Sequence, residues 1–244
     1  MNLLDVANVT RTFGGNRAVD DVSFTMSVDA LAIVGPNGAG KTTLLNLIAG
    51  VLHPDKVKRK EKKKGRRKAK IQFSGKEITR LPPWRIARLG MVKTYQIVRP
   101  FRSLTVEENL ELFAKLRGGA DIDRILAATG LTEVRGHLSG VLPFGLLKRL
   151  ELAKALAASP KLLLLDEPIG GLSRAEAEGL LKTLLDLKSS GTRMVVVEHR
   201  LGEILPVVDR VVALDRGHVI FDGSRDHFFD NAAVRTAYLG REDA

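Results

Sequence analysis

Leu31-Ala32-Ile33-Val34, Leu162-Leu163-Leu164-Leu165 and Met194-Val195-Val196-Val197 are short stretches that carry no polar side chain at all. Uniformly apolar runs of this length predict strands covered on both faces, as in a parallel sheet. In other segments polar and apolar positions alternate. Val6–Phe13 and Ala18–Met26 read as half-buried strands on either side of Gly14-Gly15. Ile71-Gln72-Phe73 with Gly75-Lys76-Glu77-Ile78 predicts a hairpin. Val211–Leu214 with His218–Phe221 predicts another, turning at Asp215-Arg216-Gly217. Helices are predicted over 42–50, from Pro82-Pro83-Trp84 toward Leu89-Gly90, over 105–117, 121–130 and 145–158, from Ser173 to about Ser189, and over 232–238. Thr105 and Ser173 are each followed three residues later by a glutamate, the pattern of a capping box. Pro160 stops the 145–158 helix. Buried strands alternating with helices predict an α/β fold with a mostly parallel sheet. Antiparallel β elements lie N-terminal to it, and a helical block over 82–158 interrupts it.

Composition changes this picture at one place. The chain has 244 residues and a formal charge of +11, from 39 Lys and Arg against 28 Asp and Glu. Residues 56–70 hold eleven basic residues and one acid, so that run alone carries +10 and the rest of the chain +1. It cannot build a core and is expected to be a loop. The loop could simply be solvated, or meet anionic lipid headgroups, or bind nucleic acid. The last is disfavoured because the run has no aromatic to stack on bases. No apolar stretch reaches the roughly 20 residues of a membrane span. The N-terminus lacks a basic-then-apolar leader, so no signal peptide is expected. Cysteine is absent, which excludes disulfides and thiolate metal sites and suits a reducing cytosol.

The chemistry starts behind the first apolar strand. Gly35-Pro36-Asn37-Gly38-Ala39-Gly40-Lys41-Thr42, with Thr43 next, is a complete phosphate-binding loop between a strand and a helix. Its glycines let backbone N–H groups turn inward on phosphate oxygens, and the helix N-terminus adds the positive end of its dipole. Lys41 is placed to reach β- and γ-phosphates, and the Thr42 hydroxyl to ligate Mg²⁺. The second apolar strand ends in Asp166-Glu167, at the carboxyl edge where α/β folds bind ligands. Asp166 is expected to hold Mg²⁺, and Glu167 to act as general base for an attacking water. His199 follows the third strand, where it could contact the γ-phosphate.

Taken in this order, the motifs resemble the nucleotide-binding subunit of ABC transporters over nearly the whole chain. The resemblance implies a role for Phe13 stacking on adenine, in Thr12-Phe13-Gly14-Gly15. It implies a lone Gln96, in Lys93-Thr94-Tyr95-Gln96, that joins core to helical lobe as a metal ligand and catalytic residue. His199 becomes the switch histidine, and Gly170-Gly171-Leu172-Ser173 the loop after the catalytic acid, with Ser173 where an acid is usual. The family signature falls at Leu142-Pro143-Phe144-Gly145-Leu146, and Leu146 replaces its usual glutamine. Pro143, Phe144 and Gly145 are then expected to close over ATP held by a second subunit, homologous or identical. Arg88–Gln96, Phe101–Leu110, Glu198-His199 and Ala237–Gly240 look like the branched-chain amino acid importer group. The last of these is shared with lipopolysaccharide-export ATPases. One such domain is implied, with 1–81 and 159–244 as the ATP-binding core and 82–158 as the signature-bearing helical part. A membrane permease on separate chains is implied as partner, docking near 97–113, with this subunit peripheral on the cytoplasmic face. Residues 56–69 have no counterpart in the family pattern.

Overall fold

The structure is a computed structural model that describes residues 2–57, 65, 67–115 and 119–238. Most of the basic run, the last residues of the helix expected over 105–117, and Leu239-Gly240 lie outside the described residues. The chain divides into two compact units, residues 1–86 with 208–244, and residues 87–207.

In the first unit, β1 (Leu4–Phe13) and β2 (Asn16–Met26) pair antiparallel from Leu4↔Met26 to Phe13↔Asn16. Gly14 and Gly15 both have positive φ (51° and 89°), the backbone that a two-residue hairpin turn requires. β4 (Lys70–Phe73) pairs with the other edge of β1, and β5 (Lys76–Glu77) folds back on β4, giving the order β2-β1-β4-β5. β3 (Ala30–Val34) is buried at all five positions, as its uniform apolarity predicts. It runs parallel to β9 (Arg210–Asp215), which forms a hairpin with β10 (His218–Ser224). Arg216 and Gly217 make that turn, again with positive φ at both positions. The phosphate-binding loop leads from β3 into α1 (Lys41–Ile48), and α8 (Ala232–Tyr238) ends the unit's described part. The division between the two units falls within α2 (Pro83–Leu89).

In the second unit, β6 (Met91–Lys93), β7 (Leu162–Asp166) and β8 (Met194–Val197) are parallel neighbours, with Met91 opposite Leu162 and Leu163 opposite Met194. β6 is not predicted by the pattern, because three residues show no period. Three helices, α3 (Val106–Ala114), α4 (Ile122–Thr129) and α5 (Phe144–Ala157), share a core of Val106, Leu110, Leu126, Leu131, Leu142, Leu150, Ala153 and Ala157. α6 (Arg174–Ser189) follows β7, and a short α7 (Leu201–Ile204) follows β8. Both expected capping boxes form. Thr105 N–H donates to Glu108 Oε2 at 2.7 Å while Thr105 Oγ1 accepts from Glu108 N–H at 3.2 Å. Ser173 and Glu176 repeat the exchange at the start of α6. Asn109 is fully buried. Its amide bonds both the N–H and the carbonyl of Phe101, which ties the segment before α3 to the helical core.

Candidate functional site

The phosphate-binding loop is shaped by what surrounds its glycines. Gly40, the N-cap of α1, has φ 103°, and a β-carbon there would lie inside 3.0 Å of the Ala18 carbonyl oxygen on β2. Gly35, at φ 153°, is pressed in the same way against the Leu214 carbonyl of β9. The Gly217 N–H donates to Ala39 O at 3.0 Å, so the β9–β10 turn braces the loop from outside. Ala39 N–H closes the loop on Pro36 O at 3.1 Å. Lys41 is buried, and its ammonium bonds the carbonyls of Gly35 (2.7 Å) and Pro36 (3.0 Å). The loop therefore curls around its own lysine, while Thr42 and Thr43 sit in the first turn of α1. In the same unit Phe13 is 44 % exposed at the end of β1, with the Arg11 guanidinium 4.8 Å from its ring centroid.

The second unit gathers the remaining charged residues at the carboxyl ends of β7 and β8. Asp166, the last residue of β7, is 2 % exposed, and Lys93 of β6 holds its Oδ2 at 2.8 Å. Glu167 follows with φ 48°, a left-handed backbone that only the surrounding bonds can maintain for a non-glycine residue. Its N–H donates to Val197 O at 2.9 Å, and its Oε2 accepts from Gln96 Nε2 at 2.7 Å. His199 Nδ1 stands 4.0 Å from Glu167 Oε1 and 3.8 Å from Glu198 Oε2, with its side chain 46 % exposed. Gln96, Glu167 and His199 are thus brought together. Within its own unit each of Asp166 and Thr42 offers a hard oxygen donor, a carboxylate and a hydroxyl, of the type Mg²⁺ takes.

Two residues that sequence reasoning passes over complete this cluster. Glu198 is fully buried; its Oε1 accepts from Ile169 N–H (3.1 Å) and its Oε2 from His199 N–H (3.2 Å). Burial pushes its carboxyl above the usual range. It links the loop after Glu167 to the start of the histidine segment. Lys148 of α5 is also buried and points at the backbone of Gln96 and Glu167. Neither stands in a motif: one is an acid before a histidine, the other a lysine on a charged helix.

Pro143 is the N-cap of α5, Phe144 is exposed, and Gly145 is buried against the side chain of Glu176. A side chain at Gly145 would collide with that carboxylate. Its hydrogen bonds with Ser173 hold Glu176 below the ordinary carboxylate range. Leu146 packs against the core shared by α3, α4 and α5.

Comparison with known proteins gives the family. Residues 19–170 match the ABC transporter family. The chain is 32 % identical to the probable branched-chain amino acid transport ATP-binding protein LivG of Archaeoglobus fulgidus, over 100 % of its own length and 98 % of the relative's. It is 30 % identical to the lipopolysaccharide export system ATP-binding protein LptB of Haemophilus influenzae, over 99 % of each. Its fold superposes on the ADP conformation of MJ1267, an ATP-binding cassette of an ABC transporter, with a TM-score of 0.83 at 28 % identity, covering 99 % of this chain and 100 % of the other. Similarity that runs the length of the chain, in sequence and in fold, makes this protein a member of the ABC transporter family, an ATP-hydrolysing nucleotide-binding subunit.

Proposed function

We propose that the subunit powers import of branched-chain amino acids through a permease made of separate chains. The cluster at the ends of β7 and β8, with Gln96 hydrogen-bonded to Glu167 and His199 4.0 Å from it, carries the catalytic half of this reading. Lys41 and backbone N–H groups of the 35–43 loop, Pro36 excepted, bind the β- and γ-phosphates, and Phe13 stacks on adenine through the ring face away from Arg11. Glu167 takes a proton from the attacking water while Gln96 and His199 fix its orientation. Lys41 and the loop N–H groups stabilise charge as it develops on the γ-phosphate oxygens. Mg²⁺, held by Thr42, Asp166 and Gln96, would supply charge neutralisation on the phosphates.

The subunit acts as a pair, with itself or with a sibling chain, each member presenting Pro143, Phe144 and Gly145 to the ATP of the other. Division of labour follows the proposed boundaries: the core over 1–81 and 159–244 holds the nucleotide, and the helical part over 82–158 carries the signature. The permease docks near residues 97–113, where Ile97 and Phe101 are exposed. Among the described residues no helix is long and apolar enough to cross a membrane, so the spanning part is assigned to the partner. The place of action is the cytoplasmic membrane face. There the +10 run can meet anionic headgroups, at about 1 kcal/mol per basic residue near the surface. Deleting 56–69 should weaken salt-sensitive binding to anionic liposomes; unchanged binding would return the run to a solvated loop.

Importer-type relatives favour amino acids as the substrate. The LptB relative keeps a second reading in view, an ATPase of lipid export. Transport of labelled leucine by proteoliposomes carrying the permease, absent without this subunit, separates the two. The catalytic assignment is tested by Glu167→Gln. The variant should bind ATP and pair, yet hydrolyse at least about 100-fold more slowly, within the range for loss of a general base. Normal turnover would refute that assignment.

A further inference from the structure

Lys148 lies in the second turn of α5 and is 5 % exposed. A buried ammonium must find acceptors. This one donates to two main-chain carbonyls, Gln96 O at 3.1 Å and Glu167 O at 2.9 Å. The two residues it holds are those whose side chains meet at 2.7 Å. Glu167 is also the residue with the unfavourable backbone, at φ 48°. Its carbonyl has one further acceptor bond, from Gly170 N–H at 3.1 Å. A left-handed non-glycine residue persists only where its neighbours over-determine it, and the Lys148 bond is one of the few that do so here. Glu198, Glu167, Asp166 and Glu151 all favour the charged form of Lys148, against the burial that disfavours it. The stem of Lys148 rises from the helix whose first turn bears Phe144 and Gly145.

We propose that Lys148 is a positioning residue for ATP hydrolysis: it clamps the backbones of Gln96 and Glu167 so that the general base is held in its strained, working orientation. The clamp also hands any displacement of α5 directly to both residues. The inference rests on the role proposed for Glu167 and deepens it.

The test is a double-mutant cycle on the full-length subunit. Lys148→Met keeps most of the stem and removes the ammonium. ATP affinity and KM should stay within about twofold, and kcat should fall at least about tenfold, because the nucleotide-binding loop is untouched and only the base is misplaced. In a Glu167→Gln background the same substitution should cost nothing further in slow, long-incubation hydrolysis, since the group it positions is already disabled. Lys148→Arg keeps a cation but not its seat on the same two oxygens, and should show a smaller loss of the same kind. Wild-type kcat in Lys148→Met, or an equal loss in both backgrounds, overturns the inference. Should Lys148→Met fail to fold, the same two outcomes are read from Lys148→Arg. Failure of the underlying reading looks different: Glu167→Gln alone would then turn over normally.

Discussion

Replacing Gly40 by alanine tests whether the shape of the nucleotide-binding loop is set by its contact with β2. Two costs are legible. The backbone at Gly40 has φ 103°, outside every region comfortable for a side chain, and a left-handed conformation alone costs an L-residue about 1–2 kcal/mol. The new methyl would also lie inside 3.0 Å of Ala18 O, with the Ala18 carbonyl carbon at 3.3 Å, so the loop must retreat by about 1 Å to restore van der Waals contact. Ala18 belongs to an eleven-residue strand and gives little. A retreat of that size pulls the N–H groups of the loop off the phosphates. We expect ATP affinity to fall by about 30- to 100-fold, which is about 2–3 kcal/mol. Fluorescent-nucleotide titration measures it. Gly191→Ala is the control: φ there is 90°, but a β-carbon would meet nothing within 4 Å, so it should cost about 1 kcal/mol of stability and leave nucleotide affinity alone. If Gly40→Ala binds ATP within twofold of wild type, the contact with Ala18 does not shape the loop.

Asn109→Ala strips buried hydrogen bonds from both main-chain groups of Phe101 and should lower unfolding free energy by about 2 kcal/mol in a urea titration; a change below about 0.5 kcal/mol would mean the segment holds itself. Glu198 has its carboxyl raised by burial, so the folded chain keeps a proton that the unfolded chain releases. Its contribution to stability is complete at acid pH and is lost as pH rises through the raised value; Glu198→Gln should therefore show a smaller drop in urea midpoint between about pH 4 and pH 7 than wild type. An equal drop in both would place the titration elsewhere. Leu146→Gln moves an amide into a position packed on the helical core, so the thermal midpoint should fall, and the ATPase rate measured well below that midpoint should change. An unchanged rate would show that the missing signature amide has no part in hydrolysis.

What the sequence discloses and what it withholds divide along physical lines. Strands β3, β7 and β8 are legible because burial on both faces leaves only apolar side chains, and the two capping boxes because their partners sit three residues apart. The Arg216-Gly217 turn is legible from its glycine. Strand β6 is not, since Met91–Lys93 is too short for a period and draws its order from pairing with β7. The roles expected of Phe13, Gln96 and His199 come from family resemblance, because a single residue at a strand end or in a loop has no local signal. Lys148 and Glu198 are withheld for a deeper reason. Each has a partner 19 to 52 residues away, and a charge on a helix or after a strand ordinarily reads as solvated. Lys93 is of the same kind, since its ion pair with Asp166 crosses 73 positions.

The brace between Gly217 N–H and Ala39 O has a temporal meaning. β3 also needs β9 beside it, and Gly35 is moulded against Leu214. Part of the backing of a loop in the first quarter of the chain is thus made in its last fifth. On the ribosome, the emerging polypeptide would carry the whole loop for more than 170 residues of synthesis before that backing is made. An unfinished chain therefore lacks the support that Leu214 and Gly217 give to Gly35 and Ala39.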